Sequence, residues 1–370
     1  MAYELGAVGF GHWFERLYSG MARTERIHLA KVIGVSPIDG KANRLKLVGI
    51  TGDNYYRMEP DADIPKEFLN GLDIVHISNP NKYHAAHTIQ SLAAGKITIT
   101  EKTWGINKQE FGSVVKYIRD NDLEDKAYLH LHYLHKILTI RLWDTLKRFE
   151  GEYGKIVGVS ATFFEGIRED DKRRSAWLFS MDSGGLFMDW IHPFEILYRG
   201  ARAADIDLKD VKLYRTNTEY DQKNPTGIEA SVEISGGQFI GKVQGVIRIA
   251  KGVGADKKAV RFYLESGAYL ELDYLNNDME ATTGMRGCWT LAKDGVDIVT
   301  DCPHGSDTSE FLVNDILRLA DGERAGFNTE FMEKIFSTQW QYQDIYKSKE
   351  LLHSKADVDS FVNKGNGLAR

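Results

Sequence analysis

Apolar residues fall into two textures along the chain. Up to about residue 130, short apolar runs alternate with stretches of helical spacing. Residues 3–11, YELGAVGFG, form an apolar run ending in glycines, and Phe14, Leu17, Tyr18 and Met21 follow at helical intervals. That pattern predicts strand, tight turn, helix. LKLVGIT at Leu45–Thr51 reads as the second strand, and the segment before it, IHLAKVIGVSPIDGKANR, has no clear assignment. LDIVHISN at 72–79 has a buried-strand pattern, Tyr83–Ala94 reads as a helix and ITITEK as another strand. Strands alternating with helices predict a parallel sheet wound in βαβ units.

Beyond about residue 150 the period becomes two. KIVGVSATFF, ASVEIS, FIGKVQGVIRI and VRFYLESGAYLELDY, the last with an internal Ser-Gly turn, predict a mostly antiparallel sheet with one covered face. Helical spacing returns at Leu312, Ile316 and Leu319, then at Phe331, Ile335 and Tyr342, with Asn328 and Thr329 as caps. The stretch after Ser354 reads as a loosely held tail.

Composition narrows the class. A chain of 370 residues exceeds the roughly 250 to 300 that one core supports, so two domains are expected. No apolar stretch approaches the ~20 residues of a membrane span, and MAYELGAVGFG lacks the basic start of a signal peptide, so a cytoplasmic protein without membrane contact is expected. A net charge of -6 without a dense Lys/Arg stripe argues against nucleic acid. Cys288 and Cys302 are too few for a disulfide framework or a four-thiolate zinc site and are expected as free thiols.

Chemistry concentrates in a few places. Gly9-Phe10-Gly11-His12-Trp13-Phe14 carries the first two glycines of a dinucleotide fingerprint, which permit the turn and the approach of a pyrophosphate to a helix N-terminus. Phe14 replaces the third glycine. An acid at the end of the second strand holds the adenosine ribose in such folds. The strand read at 45–51 makes that residue Asp53 for NAD, or makes room beside Thr51 for the 2′-phosphate of NADP. Asn79, Pro80 and His84 follow the next strand, where an open α/β sheet places its ligand crevice. Glu101 and Lys102 close ITIT, and a lysine there can offset charge on a reacting oxygen. His130 and His132 at i, i+2 offer two metal ligands, but no carboxylate or thiolate completes the set locally, and no metal is expected. In SGGLFMDWIHPFEIL, Asp189 and His192 share a helix face, though Asp189 also suits a helix cap and Pro193 a helix start.

Gly9-Phe10-Gly11, SNPNKYHAAHTIQSLAAGK, Glu101-Lys102 and SGGLFMDWIH together resemble the glucose-fructose oxidoreductase, inositol dehydrogenase and MocA family, over nearly the whole chain. The resemblance implies an α/β fold: a Rossmann dinucleotide-binding domain at 1–130, then an α+β domain at 131–354 with a large, mostly antiparallel open sheet for substrate binding and oligomerisation. The last helices can pack back on the first domain, and 355–370 is the tail. It also implies an NAD(P)-dependent sugar or polyol dehydrogenase in which Lys102, Asp189 and His192 form the catalytic trio and Gly9 to Trp13, with Glu101, line the cofactor. Two departures stand out: Thr103 replaces the proline that follows the family's lysine, and Asp189 and His192 are three residues apart, one fewer than usual. A secondary resemblance to glucose-6-phosphate dehydrogenase rests on Glu101-Lys102-Thr103-Trp104-Gly105 and His132-Tyr133-Leu134-His135-Lys136. It implies His132, Tyr133 and Lys136 as substrate contacts, with Leu131 in place of that enzyme's Asp. Arg173, Arg174 and Trp177 offer a wall for a sugar pocket.

The expected reaction moves hydride from a hydroxyl carbon of a sugar, sugar phosphate or cyclitol to NAD or NADP, with His192 as base and Lys102 stabilising the reacting oxygen. The alternatives are a non-enzymatic dinucleotide-sensing regulator and glycoside cleavage through transient oxidation. A homo-oligomer, dimer or tetramer, is expected, as in many relatives.

Overall fold

The computed structural model describes residues 2–36, 42–166, 186–216, 225–253, 256–274, 287–303, 308–323, 327–346, 351–352 and 354–365. The chain divides into two compact units, 1–132 with 306–332, and 133–305 with 333–370.

In the first unit, β1 (Tyr3–Val8), β2 (Ile27–Gly34), β3 (Tyr55–Arg57), β4 (Ile74–Ile77), β5 (Ile97–Glu101) and β6 (Ala127–His130) form one parallel sheet. Its order is β3-β2-β1-β4-β5-β6. The direction of winding reverses between β1 and β4, the switch point at which such sheets bind ligands beyond their strand C-termini. All four residues of β4 are buried, as a parallel sheet covered on both faces requires. The helices of this unit are α1 (His12–Met21), α2 (Ala42–Leu47), α3 (Lys66–Leu69), α4 (His84–Ala93) and α5 (Lys108–Asp120), joined by a helix from late in the chain, Thr308–Ala320. That late helix packs Leu312 and Ile316 with Phe14 and Leu17 of α1 against Leu5 and Ala7 of β1.

The second strand departs from the sequence reading. IHLAKVIG, within the unassigned segment, is β2, whereas Ala42–Leu47 is helical and Gly52–Asn54 is a short 3-10 turn. Leu45 and Ile50 are buried in the same core as β2, so LKLVGIT owes its apolar character to a packed turn. Short apolar runs do not separate helix from strand by periodicity alone.

The second unit holds β7 (Ile156–Glu165), β8 (Asp205–Tyr214), β9 (Gly227–Ser235), β10 (Phe239–Lys251), β11 (Lys257–Leu264), β12 (Tyr269–Asp273), β13 (Cys288–Lys293), β14 (Val296–Asp301) and β15 (Leu351–Leu352). They form one sheet, β14-β13-β12-β11-β7-β10-β9-β8-β15. Pairing is antiparallel except between β7 and β10 and between β8 and β15. The fold class is thus a Rossmann-like α/β unit with a second unit built on a mostly antiparallel sheet. Strand β9 alternates with period two, burying Ile228, Ala230, Val232 and Ile234. Helices α6 (Ile137–Tyr153) and α7 (Phe187–Glu195) belong to this unit.

Two further expectations are corrected. Lys355–Gly365, read as tail, is a helix whose Phe361 is buried with Phe164, Tyr214 and Val253. Cys288 and Cys302 form a disulfide. They continue by one step the antiparallel pairs Trp289–Asp301 and Thr290–Thr300 across β13 and β14, so the hairpin register itself brings the thiols together. Among the described residues, no helix is long and apolar enough to cross a membrane.

Candidate active site

The glycine turn of the first unit sits at the C-terminal end of β1. Gly9 has φ 93°, and a Cβ there would lie 2.8 Å from the Asn79 backbone nitrogen, so the close approach of the β1 and β4 loops requires glycine. Gly11 differs. It is the N-cap of α1, and a Cβ there would meet nothing within 4 Å. Among the described residues, nothing in the packing demands that glycine, and its open side lies at the first turn of the helix, where backbone N–H groups can receive an anion. His12 and Trp13 form that turn. Glu15 would repel an anion at the helix N-terminus, but Arg44 pairs with its carboxylate and offsets it. Phe14, standing in place of the third glycine, is fully buried against the His76 ring at 5.3 Å and the Phe10 ring at 5.6 Å.

Beyond β4, Asn79 is held by α4. Its Nδ2 donates to His87 Nδ1 at 2.8 Å, and His87 Nε2 is 3.2 Å from the Ala62 carbonyl, which fixes the neutral Nε2–H tautomer. Burial pushes His87 down, toward that neutral form. Asn79 Oδ1 is buried with no hydrogen-bond partner among the described residues, an acceptor waiting at the switch point. Pro80 caps the 3-10 turn that leads into α4. His84 ties the two loops together, 2.7 Å from the Asn79 carbonyl and 2.8 Å from that of Thr103. Lys102 follows β5 half-buried, and the Lys102–Thr103 peptide is cis. Glu101, expected beside the cofactor, turns its carboxylate to His130 Nδ1 at 2.6 Å and His76 Nε2 at 3.4 Å. Burial opposes its ionisation, yet the two imidazoles outweigh it and hold the carboxyl well below the usual range.

Thr51 and Asp53 do not stand at the end of the second strand, because β2 ends at Gly34 rather than at residue 51. Thr51 forms a capping box with Asn54, and Asp53 is exposed in that turn. The residues described at the end of β2, Gly34, Val35 and Ser36, carry no carboxylate, and Tyr55 Oη donates to the Ser36 carbonyl at 2.6 Å. The empty side of Gly11, the N-terminus of α1 and the unpaired Asn79 oxygen together fit a dinucleotide lying across the switch point.

In the second unit the reactive residue types gather on α7. The helix is N-capped by Leu186, so Asp189 lies in its first turn and Pro193 inside it, followed by a π-helical turn over Ile196–Gly200. Asp189 Oδ1 is 3.4 Å from His192 Nε2, so the three-residue spacing does bring the pair together. The other imidazole nitrogen, Nδ1, is 2.8 Å from Glu195 Oε1, and the fully buried Glu195 also accepts from the Leu134 backbone N–H at 3.2 Å. A carboxylate only accepts, and Glu195 is the nearer of the two, so in the neutral ring Nδ1 carries the proton. Lys251 Nζ reaches Asp189 Oδ2 at 2.9 Å. Burial pulls the Lys251 ammonium down, but Asp189 and Glu165 outweigh it and raise it above the ordinary lysine range. Removing one partner of so buried a pair costs about 3–5 kcal/mol.

Tyr133 lies with its ring centroid 4.5 Å from that of His192, and Lys136 Nζ is 5.9 Å from the Tyr133 ring. Burial, then the nearby carboxylates, raise the Tyr133 phenol well above its ordinary value, so it stays neutral. The structure therefore brings Tyr133, Lys136, Asp189 and His192 together. His132 is half-buried at the end of the first unit. Arg173, Arg174 and Trp177 lie outside the described residues. Glu195 and Lys251 are the residues that sequence reasoning missed. Glu195 stands at the i+3 position from His192, a helical neighbour signal in plain view, whereas Lys251 arrives from β10 with no local sign.

No family model and no curated protein matches the chain. Solved structures match in fold. An aldose-aldose oxidoreductase from Caulobacter crescentus, complexed with glycerol, superposes with TM-score 0.72 at 14% identity, covering 94% of this chain and 97% of that one. KijD10, a 3-ketoreductase from Actinomadura kijaniata in complex with NADP and TDP-benzene, gives 0.74 at 15% identity, covering 96% and 100%. The UDP-N-acetylglucosamine 3-dehydrogenase GnnA from Acidithiobacillus ferrooxidans gives 0.65 at 14%, covering 92% and 96%. At these identities the likeness is one of fold, shared along nearly the full length with structures named as an oxidoreductase, a ketoreductase and a dehydrogenase.

Proposed function

We propose that the protein is an NAD(P)-dependent oxidoreductase acting on a hydroxyl-bearing carbon of a sugar, sugar phosphate or cyclitol. The observation that carries this reading is the end of the first sheet. There an open glycine at the N-terminus of α1 and a buried Asn79 oxygen with no partner among the described residues flank a switch point of dinucleotide-binding order, and Lys102 follows β5 at the same end of the sheet. The fold shared with structures named as an aldose-aldose oxidoreductase, a 3-ketoreductase holding NADP and a UDP-N-acetylglucosamine 3-dehydrogenase supports it further.

Gly9, Phe10 and Gly11 with the first turn of α1 hold the pyrophosphate of NAD or NADP, and Asn79 accepts from its nicotinamide half. When bound, the nicotinamide supplies the acceptor for hydride. His192, protonated on Nδ1 toward Glu195, carries its lone pair on Nε2 and takes the substrate hydroxyl proton there. Glu195 and Asp189 stabilise the imidazolium that forms, and Lys251 keeps Asp189 ionised. The Lys102 ammonium offsets charge growing on the substrate oxygen. Tyr133 and Lys136 contact the substrate.

Alanine at Lys102 or at His192 tests the assignment. Each variant is expected to lose about 10²- to 10⁴-fold in turnover while binding dinucleotide as the wild type does. Unchanged turnover in either would remove that residue from the reaction. Tight dinucleotide binding by a wild type that turns over nothing would favour a dinucleotide-sensing regulator instead.

A further inference from the structure

Three ligand-type side chains meet at the end of the first sheet in an arrangement that the proposed reaction does not use. His76 of β4, Glu101 of β5 and His130 of β6 come from three neighbouring parallel strands. Each offers a ligand atom, and these atoms all lie within 4.8 Å of one another. The register explains the meeting. His76 pairs with Ile99 and Glu101 with His130, and Glu101 lies two residues beyond Ile99, so all three side chains leave the same face of the sheet.

The cluster is sheltered, with side-chain exposures of 0% for His76, 16% for Glu101 and 8% for His130. Neither ring nitrogen of His76 has a hydrogen-bond partner among the described residues, although Nε2 lies 3.4 Å from Glu101 Oε1. The Phe14 ring packs on this imidazole and offers it nothing polar. A buried imidazole aimed at a carboxylate and a second imidazole, yet hydrogen-bonded to neither at full strength, has the chemistry of a ligand set rather than of a core residue.

We infer that His76, Glu101 and His130 form a binding site for one divalent transition-metal ion that favours imidazole, with Zn²⁺ the leading candidate. Metal–nitrogen bonds of about 2.0–2.1 Å set tetrahedral donors roughly 3.3 Å apart. The His76–Glu101 pair already has that separation at 3.4 Å. The His130–Glu101 contact at 2.6 Å is a hydrogen bond that opens by side-chain rotation, the ion replacing the proton on Nδ1, which passes to Nε2 or to solvent. Two nitrogens and one oxygen leave a fourth position for water, on the side where Glu101 is exposed. Through Glu101, the ion fixes the residue immediately before Lys102.

The full-length protein, stripped with a chelator, is titrated with Zn²⁺ by calorimetry, and the ion's effect on the melting temperature is recorded. One equivalent per chain and a raised melting temperature are expected. Changes in outer-shell partners alone weaken metal sites by about 10- to 100-fold, so Glu101→Gln and His76→Phe are each expected to lose more than about 100-fold. Circular dichroism identifies variants that fold, and the wild-type titration stands without them. Absence of saturable binding to the wild type overturns the site. So does an undiminished equivalent in the His76→Phe/Glu101→Gln double variant, which would place the ion on other histidines. No turnover is measured, so the outcome is independent of the proposed reaction.

Discussion

The proposed reaction needs His192 to take a proton on Nε2, and the residue three positions further on favours the tautomer that allows it. Glu195 is fully buried and accepts from Nδ1, leaving the lone pair on Nε2. Replacing it by glutamine removes the charge that stabilises the imidazolium and lets an amide N–H face Nδ1, which favours the wrong tautomer. Glu195→Gln is therefore expected to lower kcat by about 10²- to 10⁴-fold with dinucleotide affinity unchanged, as steady-state kinetics and a binding titration would measure. Unaltered kcat would mean that another group orients the ring. At this scale the sequence was legible where partners are helical neighbours. Asp189 and His192 could be named from residue type and spacing, and Glu195 stood within the same quoted stretch. Lys251, Glu101 and His76 could not be read as partners, because their contacts join elements separated by tens of residues in the chain. His130 was weighed with His132 as a metal pair, yet its companions came from β4 and β5.

At the scale of elements, α4 and the loop after β4 show how a helix keeps a binding loop in place. His87 must be neutral to accept from Asn79 Nδ2, and burial lowers its pKa below the unfolded value of about 6.5. Burial shifts His76 and His84 in the same direction. A folded pKa below the unfolded one gives stability that is complete above about pH 6.5 and is lost as pH falls through the window toward the folded value. Melting temperature is accordingly expected to drop between pH 7 and 5.5, and less steeply in His87→Gln, which has nothing to protonate there. Parallel slopes would show that His87 is not held neutral. The βαβ order, the hairpin of β11 and β12 and the late helices were legible as periods of two or of three to four. The second strand was not, since IHLAKVIG and LKLVGIT are equally apolar and only packing tells them apart. The strand reading also led to Asp53, which lies in a turn beyond α2 rather than at the end of β2.

For the whole molecule, the two units carry different residue sets. One has the strand order and open glycine turn of a dinucleotide site, and the other has an imidazole held between carboxylates. Fold alone does not set function, and 14–15% identity to these solved structures carries only the fold. The residues present must carry the rest of the claim. Absorbance at the reduced-nicotinamide band tests it most directly, with NAD and NADP in parallel against aldoses, their 6-phosphates and inositols. The account predicts reduction of one dinucleotide that depends on a member of this panel and disappears in His192→Ala. Both dinucleotides remaining oxidised with every member, or reduction that persists at the wild-type rate in His192→Ala, would contradict it.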